Sequence, residues 1–332
     1  MLGESIALVV ALLWTSGALF GELASKRLGA LPLNVIRMVL SLLMLGTALW
    51  FMVGHPYPYL ANRQTWIWMM LSGLMGFGFG DYCLFSSYVL IGSRFSQLFM
   101  TLASPFAALT AWLLLGERMS ALATLGMAIT IVGICMSILG KEEKRNIAGA
   151  SSDSQKDKES SYLLPLTSYL QHLTVKFPLR GFIFGIGAAL GQGVGLVLSK
   201  VGLEHYSSAV ADAAVTPLLM PVGGTMIRTL AGLVCFSFFL IINRKIHRLR
   251  EAVHDGRGMT YALLTTFLGP ALGVSLSLLA LQYTQAGIAQ TIMSLVPILI
   301  IWPSRLIFKT RVTTMEVVGA VIAVLGVTLF FI

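Results

Sequence analysis

Apolar runs of membrane-span length alternate with short polar gaps along almost the whole chain. They lie near 4–24, 32–53, 66–88, 95–115 and 120–139, then 181–200, 219–242, 259–282, 287–308 and 313–332. About 20 consecutive apolar residues let a helix cross the hydrocarbon core. The pattern therefore predicts an all-α integral membrane protein with ten transmembrane helices. The gaps after Ile91 and after Tyr283 leave room only for tight turns. The seventh run opens with TPLLMPVGG (216–224), whose two prolines and two glycines predict an irregular start.

One gap differs from the rest. KEEKRNIAGASSDSQKDKESS (141–161) is polar, charged and rich in turn formers, and reads as a linker. Beyond it Leu163, Leu166, Leu170, Leu173 and Phe177 recur at spacings of three and four between Pro165 and Pro178. That suits a short amphipathic helix lying on the bilayer surface; a disordered tether fits the composition as well. The chain thus divides into a first unit at 1–140, a linker at 141–180 and a second unit at 181–332.

The two units repeat one another. TSGALFGELASK (15–26) aligns with ALGQGVGLVLSK (189–200), pairing Gly17 with Gly191 and Gly21 with Gly195. NVIRMVLSLL (34–43) aligns with TMIRTLAGLV (225–234), superposing Arg37 on Arg228. Pro105 lies near the place of Pro297. RMSALATLGMAITIVGI (118–134) aligns with RVTTMEVVGAVIAVLGV (311–327). Each copy holds five helices, and five is odd, so the second copy enters the membrane from the opposite side. The expectation is a pair of inverted five-helix repeats with a site near the midplane between them.

Composition agrees with lipid as the solvent. The chain has 332 residues, 56% of them hydrophobic and 11% charged, against about 25% charged in soluble domains. Mean hydropathy is +0.83. The net charge of +9 comes from lysines and arginines in the gaps, where they act as topology signals, so nucleic acid is not an expected partner. Cys83, Cys135 and Cys235 are odd in number and lie in apolar runs, which argues against a disulfide framework or a zinc site. No P-loop, HExxH or Ser/His/Asp arrangement is present, so neither catalysis, a metal nor a cofactor is expected. The N-terminal run has no basic segment before it and continues into Glu22 and Lys26; it reads as a retained first helix.

The residues themselves resemble a known family. ALLWTSGALFGELASK (11–26), GFGFGDYCLFSSYVL (76–90) and SPFAALTAWLLLGERMSALATLGMAITIVGI (104–134) resemble the EamA domain of the drug/metabolite transporter superfamily, and ALQYTQAGIAQTIMSLVPILIIWPSRLIF (280–308) resembles it again. The resemblance implies a ten-helix carrier of small metabolites such as amino acids, nucleosides, sugars or drugs, often exchanging for protons. Two departures stand out. Gly116-Glu117-Arg118 of the first copy becomes Lys309-Thr310-Arg311 in the second, without the acid. EHYSSAVADAAVTPLL (204–219) has no counterpart in the first copy.

Charges inside the runs are the candidate chemistry. Asp or Arg at a helix centre costs about 2.5–3.5 kcal/mol on insertion scales, so such residues face the bundle interior, usually paired. Asp81, behind Gly76, Gly78 and Gly80, is the first candidate for carrying a proton or holding a substrate amine; a structural salt bridge to Arg37 is the alternative. Those glycines do not form a GxGxxG phosphate cradle, and their expected role is to loosen the third helix. Glu22 stands one turn before Lys26, the spacing of a local ion pair; by resemblance to the related small multidrug-resistance proteins it would instead line the cavity. Arg37 and Arg228 hold matching places, which predicts a structural role such as capping carbonyls of the opposite half, with anion binding as the alternative. Trp14, Tyr82, Gln97, Gln192 and Gln290 are expected to line a cavity, sharing faces with Ser96, Thr101, Thr291 and Ser294. Gly17, Gly21, Gly187, Gly191 and Gly195 sit four apart and predict close helix contacts.

Lys and Arg crowd the odd-numbered gaps, whereas the even ones carry only Arg63, Arg118 and Lys200. By the positive-inside rule the odd gaps are cytoplasmic and both termini external. The expectation is a multi-pass plasma (inner) membrane transporter of a small-molecule substrate, with protons as a candidate second partner. The alternative is a non-transporting membrane receptor or scaffold. Sequence leaves oligomeric state open.

Overall fold

The computed structural model describes residues 2–136, 179–210, 218–244, 246–299, 303 and 314–329. The linker and its amphipathic stretch (163–177) lie outside the described residues. Among those described no strand occurs. Six helices are long and apolar enough to cross a membrane: α1 (Leu2–Leu28), α2 (Ala30–Val53), α3 (Arg63–Ser93), α6 (Leu179–Ala209), α7 (Leu219–Ile242) and α8 (Gly256–Leu281). Four shorter apolar helices are α4 (Ala103–Leu115), α5 (Ala121–Met136), α9 (Ala286–Leu299) and α10 (Thr314–Thr328).

Side chains on the outer surface are apolar. Leu12, Leu43, Phe51, Leu113, Ile183, Phe238 and Ile241 are all exposed, the arrangement expected where lipid replaces water and each helix satisfies its own backbone. The core is built from small residues. Ala7, Ala11, Ala107, Ala188, Ala189, Ala286 and Ala289 are fully or almost fully buried, and small side chains let helices approach when dispersion contact must supply the packing energy.

Tight turns separate the rods. Gly29 between α1 and α2 has φ 82°, and Gly92 at the end of α3 has φ 80°; a side chain is disfavoured in that left-handed region, so glycine makes both reversals cheap. Asn62 caps α3 by accepting from the Thr65 amide at 2.8 Å, and Asp255 caps α8 by accepting from the Gly258 amide at 3.1 Å. The expected irregular start of α7 is corrected in part. From Leu219 onward it is regular, because Pro221 falls in the first turn, where no intrahelical N–H is needed. Thr216 and Pro217 lie outside the described residues.

Every rod of the first half packs on one of the second. α1 meets α8, where the Thr265 hydroxyl donates to the Gly17 carbonyl at 2.9 Å. The α3–α6 contact has the Ser72 and Ser199 hydroxyls 2.8 Å apart. α2 lies against α7. Ser104 of α4 and Ser294 of α9 are 3.0 Å apart, and Thr130 of α5 reaches the Ala323 carbonyl of α10 at 3.4 Å.

Polar ties hold both ends of α1. At its start Thr284 donates to Glu4 at 2.7 Å. Nearby, Lys200 pairs with Glu117 and donates to the Thr284 carbonyl at 3.0 Å, while the Ala286 amide donates to Glu117 at 3.2 Å. At its far end Glu22 pairs with Lys26, as its spacing predicts, and accepts from Ser93. Arg27 forms a two-pronged contact with Asp255 at 2.7 and 3.0 Å.

Candidate functional site

The glycine-rich stretch of α3 is not an α-helix. Leu74–Asp81 winds as a π-helix, and so does Phe267–Val274 of α8. Wide turns of this kind displace backbone hydrogen bonds and are common at functional sites. In the repeat alignment that pairs Gln97 with Gln290, the two octets coincide. Gly76 then matches Gly269, Gly80 matches Gly273, and Asp81 matches Val274. Both copies keep the wide turn, and only the first carries the acid.

The glycines let α6 press directly onto this turn. A Cβ at Gly191 would meet the Gly80 Cα at 2.7 Å, and one at Gly195 would meet the Gly76 amide nitrogen at 2.8 Å. That approach carries Gln192 to Asp81. Its amide donates to Asp81 Oδ1 at 2.7 Å and to the Gly76 carbonyl at 3.2 Å.

Arg37 of α2 completes the cluster. Its Nη1 donates to Asp81 Oδ2 at 3.0 Å and to Asn34 at 2.8 Å, and the guanidinium lies 4.3 Å from the centre of the Phe85 ring. Arg228 of α7 sits 5.0 Å from the centre of the Phe77 ring. The expected carbonyl capping is corrected: Arg37 bonds side chains of its own half, and Arg228 hydrogen-bonds to no described residue. The pseudo-equivalent arginines diverge because Val274 stands where a second Asp81 would be.

These groups border a central cavity. Its volume is about 100 Å³, against about 10–15 Å³ for one water, so there is space for several waters or a small solute. Of the expected lining residues, Trp14, Asp81, Gln97, Gln192 and Gln290 stand on its wall, together with Ser294 and Arg37. α1, α2, α3, α6, α8 and α9 all contribute, so both halves build it. The Gln97 amide donates to the Tyr88 hydroxyl at 2.6 Å.

Two expected residues are elsewhere. Tyr82 turns outward and stacks on Phe239, with ring centres 6.0 Å apart. Glu22 belongs to the tie at the end of α1. The Ser96 hydroxyl donates to the Gly92 carbonyl and the Thr291 hydroxyl to the Gly287 carbonyl, each at 2.7 Å. The sequence reading missed Tyr88 and Phe85, which also line the cavity. Spacing could have found them: they follow Asp81 at four and seven residues, the same face of a helix. Among the described residues no group of three His, Cys, Asp or Glu could hold a metal, and the three cysteines are free.

Comparison with known proteins completes the picture. No curated protein sequence matches the chain. Its fold is similar to solved structures, among them a crystal structure with TM-score 0.64 and 13% identity, which covers 99% of this chain and 95% of its own. The EamA-like transporter family matches residues 1–139 and 179–332. With both halves matched and a multi-pass apolar helical body, the chain belongs to the EamA-like transporter family of membrane proteins.

Proposed function

We propose that this transporter is a secondary carrier, gradient-driven or facilitative, of a small polar or amphipathic metabolite, working by alternating access. In this reading α1–α10 all cross the bilayer as two inverted five-helix repeats, with both termini external at the plasma membrane. The pairing of rods supports it: first with eighth, third with sixth, second with seventh, fourth with ninth and fifth with tenth is the exchange a twofold axis between five-helix units produces. The observation that carries the proposal is the cavity between the halves, with a buried acid on its wall. A scaffold has no use for such a space.

The ties at the two ends of α1 are suited to be the gates. Glu117–Lys200–Thr284 closes one end, and Arg27–Asp255 with Glu22–Ser93 the other. Asp81 would couple protons by exchanging its bond to Arg37 for a proton. The test is flux in proteoliposomes under an imposed pH gradient, using a substrate found by thermal-shift screening, since ligands that bind the native state raise its apparent stability. Asp81→Asn should abolish pH-driven flux while the protein stays folded. Unchanged pH-driven flux in that variant removes Asp81 from the mechanism.

A further inference from the structure

The buried charges beside the cavity do not balance. Asp81, Arg37 and Arg228 are 5%, 5% and 3% exposed. Arg37 and Asp81 pair at 3.0 Å. Arg228 lies against the turn that carries Asp81, 5.0 Å from the centre of the Phe77 ring and with its Nη2 2.9 Å from where a Cβ on Gly76 would stand, yet its Nε and Nη1 have no hydrogen-bond partner, and neither has Nε of Arg37. Glu22 does not redress the balance, because Lys26 and Ser93 already hold it. The cluster therefore keeps one positive charge in excess, or two if Asp81 takes up a proton.

A cation without a counter-charge is costly in the membrane interior, and arginine cannot escape by releasing its proton. Its flat fork of donors matches a carboxylate. We propose that the cavity is an anion site and that the carried metabolite is a small monocarboxylate with a compact apolar tail. One negative charge cancels the excess. With Asp81 ionised, a zwitterion or an amine leaves it standing, and a phosphate monoester, with about −1.5 to −2, overshoots it. Arg37 on the wall receives the carboxylate, Arg228 behind Phe77 supplies the uncompensated charge, and Trp14, Leu84 and Phe85 face the tail. Gln97 and Gln290 add amides without charge. The inference rests on the transport reading above and narrows its substrate.

The test uses four probes that share an isobutyl tail: isovalerate, isovaleramide, 3-methylbutylamine and leucine, titrated against the purified full chain in detergent. Isovalerate should raise the midpoint of thermal unfolding and bind at least tenfold more tightly than the other three. Arg228→Gln, which orphans no hydrogen-bond partner, should weaken isovalerate at least tenfold, and Arg228→Lys should recover part of the loss. The double variant Arg37→Gln with Asp81→Asn should abolish binding, because it removes the guanidinium on the wall that receives the carboxylate while the excess of one charge, now on Arg228 alone, is unchanged. Equal or tighter binding of the amide, the amine or leucine overturns the proposal. So does unchanged affinity in Arg228→Gln, or no response to any straight-chain carboxylate from acetate to hexanoate and to isovalerate. If the amine or amide binds and crosses proteoliposomes, the anion assignment falls and transport stands. If isovalerate binds tightly but labelled isovalerate shows no counterflow, the anion site stands and the transport reading falls.

Discussion

Arg37 Nη1 lies 3.0 Å from Asp81 Oδ2, and the two residues stand on neighbouring helices of the same half, each buried to 5% exposure. The pair is therefore internal to the first copy, while Gln192 ties it to the second. A buried pair of this kind is more costly to break than to replace, because removing one partner strands the other's charge in a medium that cannot solvate it.

Asp81→Ala should destabilise the protein by about 3–5 kcal/mol, the range for stranding one member of a buried pair. Arg37→Gln combined with Asp81→Asn should be milder than the sum of its single changes, since neither leaves a charge facing a void. Chemical unfolding in detergent micelles, analysed as a double-mutant cycle, reads the coupling. Additive losses would show that the pair contributes nothing as a pair.

Gly191→Ala should cost about 1–3 kcal/mol, as overpacking does. Its new methyl would meet backbone atoms of Gly80 and Met75, which cannot rotate aside. Gln192 would also be pushed away from Asp81, so ligand binding should fall together with stability. Gly256→Ala is the control. Its Cβ would meet nothing within 4 Å, and there the loss of unfolded-state entropy favours the variant by a few tenths of a kcal/mol, at most about 1.

Glu117→Ala should release the Thr284–Ala286 turn, because the Ala286 amide loses its acceptor and Lys200 its counter-ion. Hydrogen bonds to charged groups contribute about 1.5–3 kcal/mol, so hydrogen exchange at Ala286 should speed up at least tenfold. Glu117→Gln keeps an acceptor and should fall between. An unchanged exchange rate would mean that the tie does not hold the turn.

Asp255 gives a pH dependence outside the membrane. Hydrogen bonding from Arg27, then from the Gly258 amide, holds its carboxyl below the usual value. A carboxylate whose folded value is depressed contributes stability that is complete above its unfolded value, about 3.9, and is lost as pH falls through the lower folded value. The difference in thermal midpoint between wild type and Asp255→Asn should therefore be constant above about pH 5 and shrink below about pH 4. A difference that grows on acidification would contradict the assignment.

Much of the site was legible because lipid makes polar residues rare. In apolar runs, Asp81, Arg37, Gln97, Gln192 and Gln290 stand out against their surroundings, and each of them borders the cavity. Tyr82 shows the limit of that logic. It adjoins Asp81 in sequence, but successive residues of a helix at 3.6 per turn point about 100° apart. With Asp81 turned inward, Tyr82 turns to Phe239 instead. Of the two readings of Glu22, the local spacing matches its pair with Lys26, because a partner one turn away needs no knowledge of the fold; as a cavity-lining candidate it stands elsewhere.

The sequence by itself determined the helical character, the positions of most rods, the repeat and the polar residues. It could do so because hydrocarbon leaves a lipid-facing backbone no partner but its own helix, and that rule acts within one segment at a time. Only the tertiary structure decided which polar residues meet. Asp81 finds Arg37 and Gln192 because the wide turn of Leu74–Asp81 resets the facing of α3 and because Gly80 and Gly191 let two backbones touch. Arg228 is left with unpartnered donors because Val274 holds the place of a second acid. Side-chain pairing across helices depends on rotation and approach distance, and these are set by contacts between segments far apart in the chain.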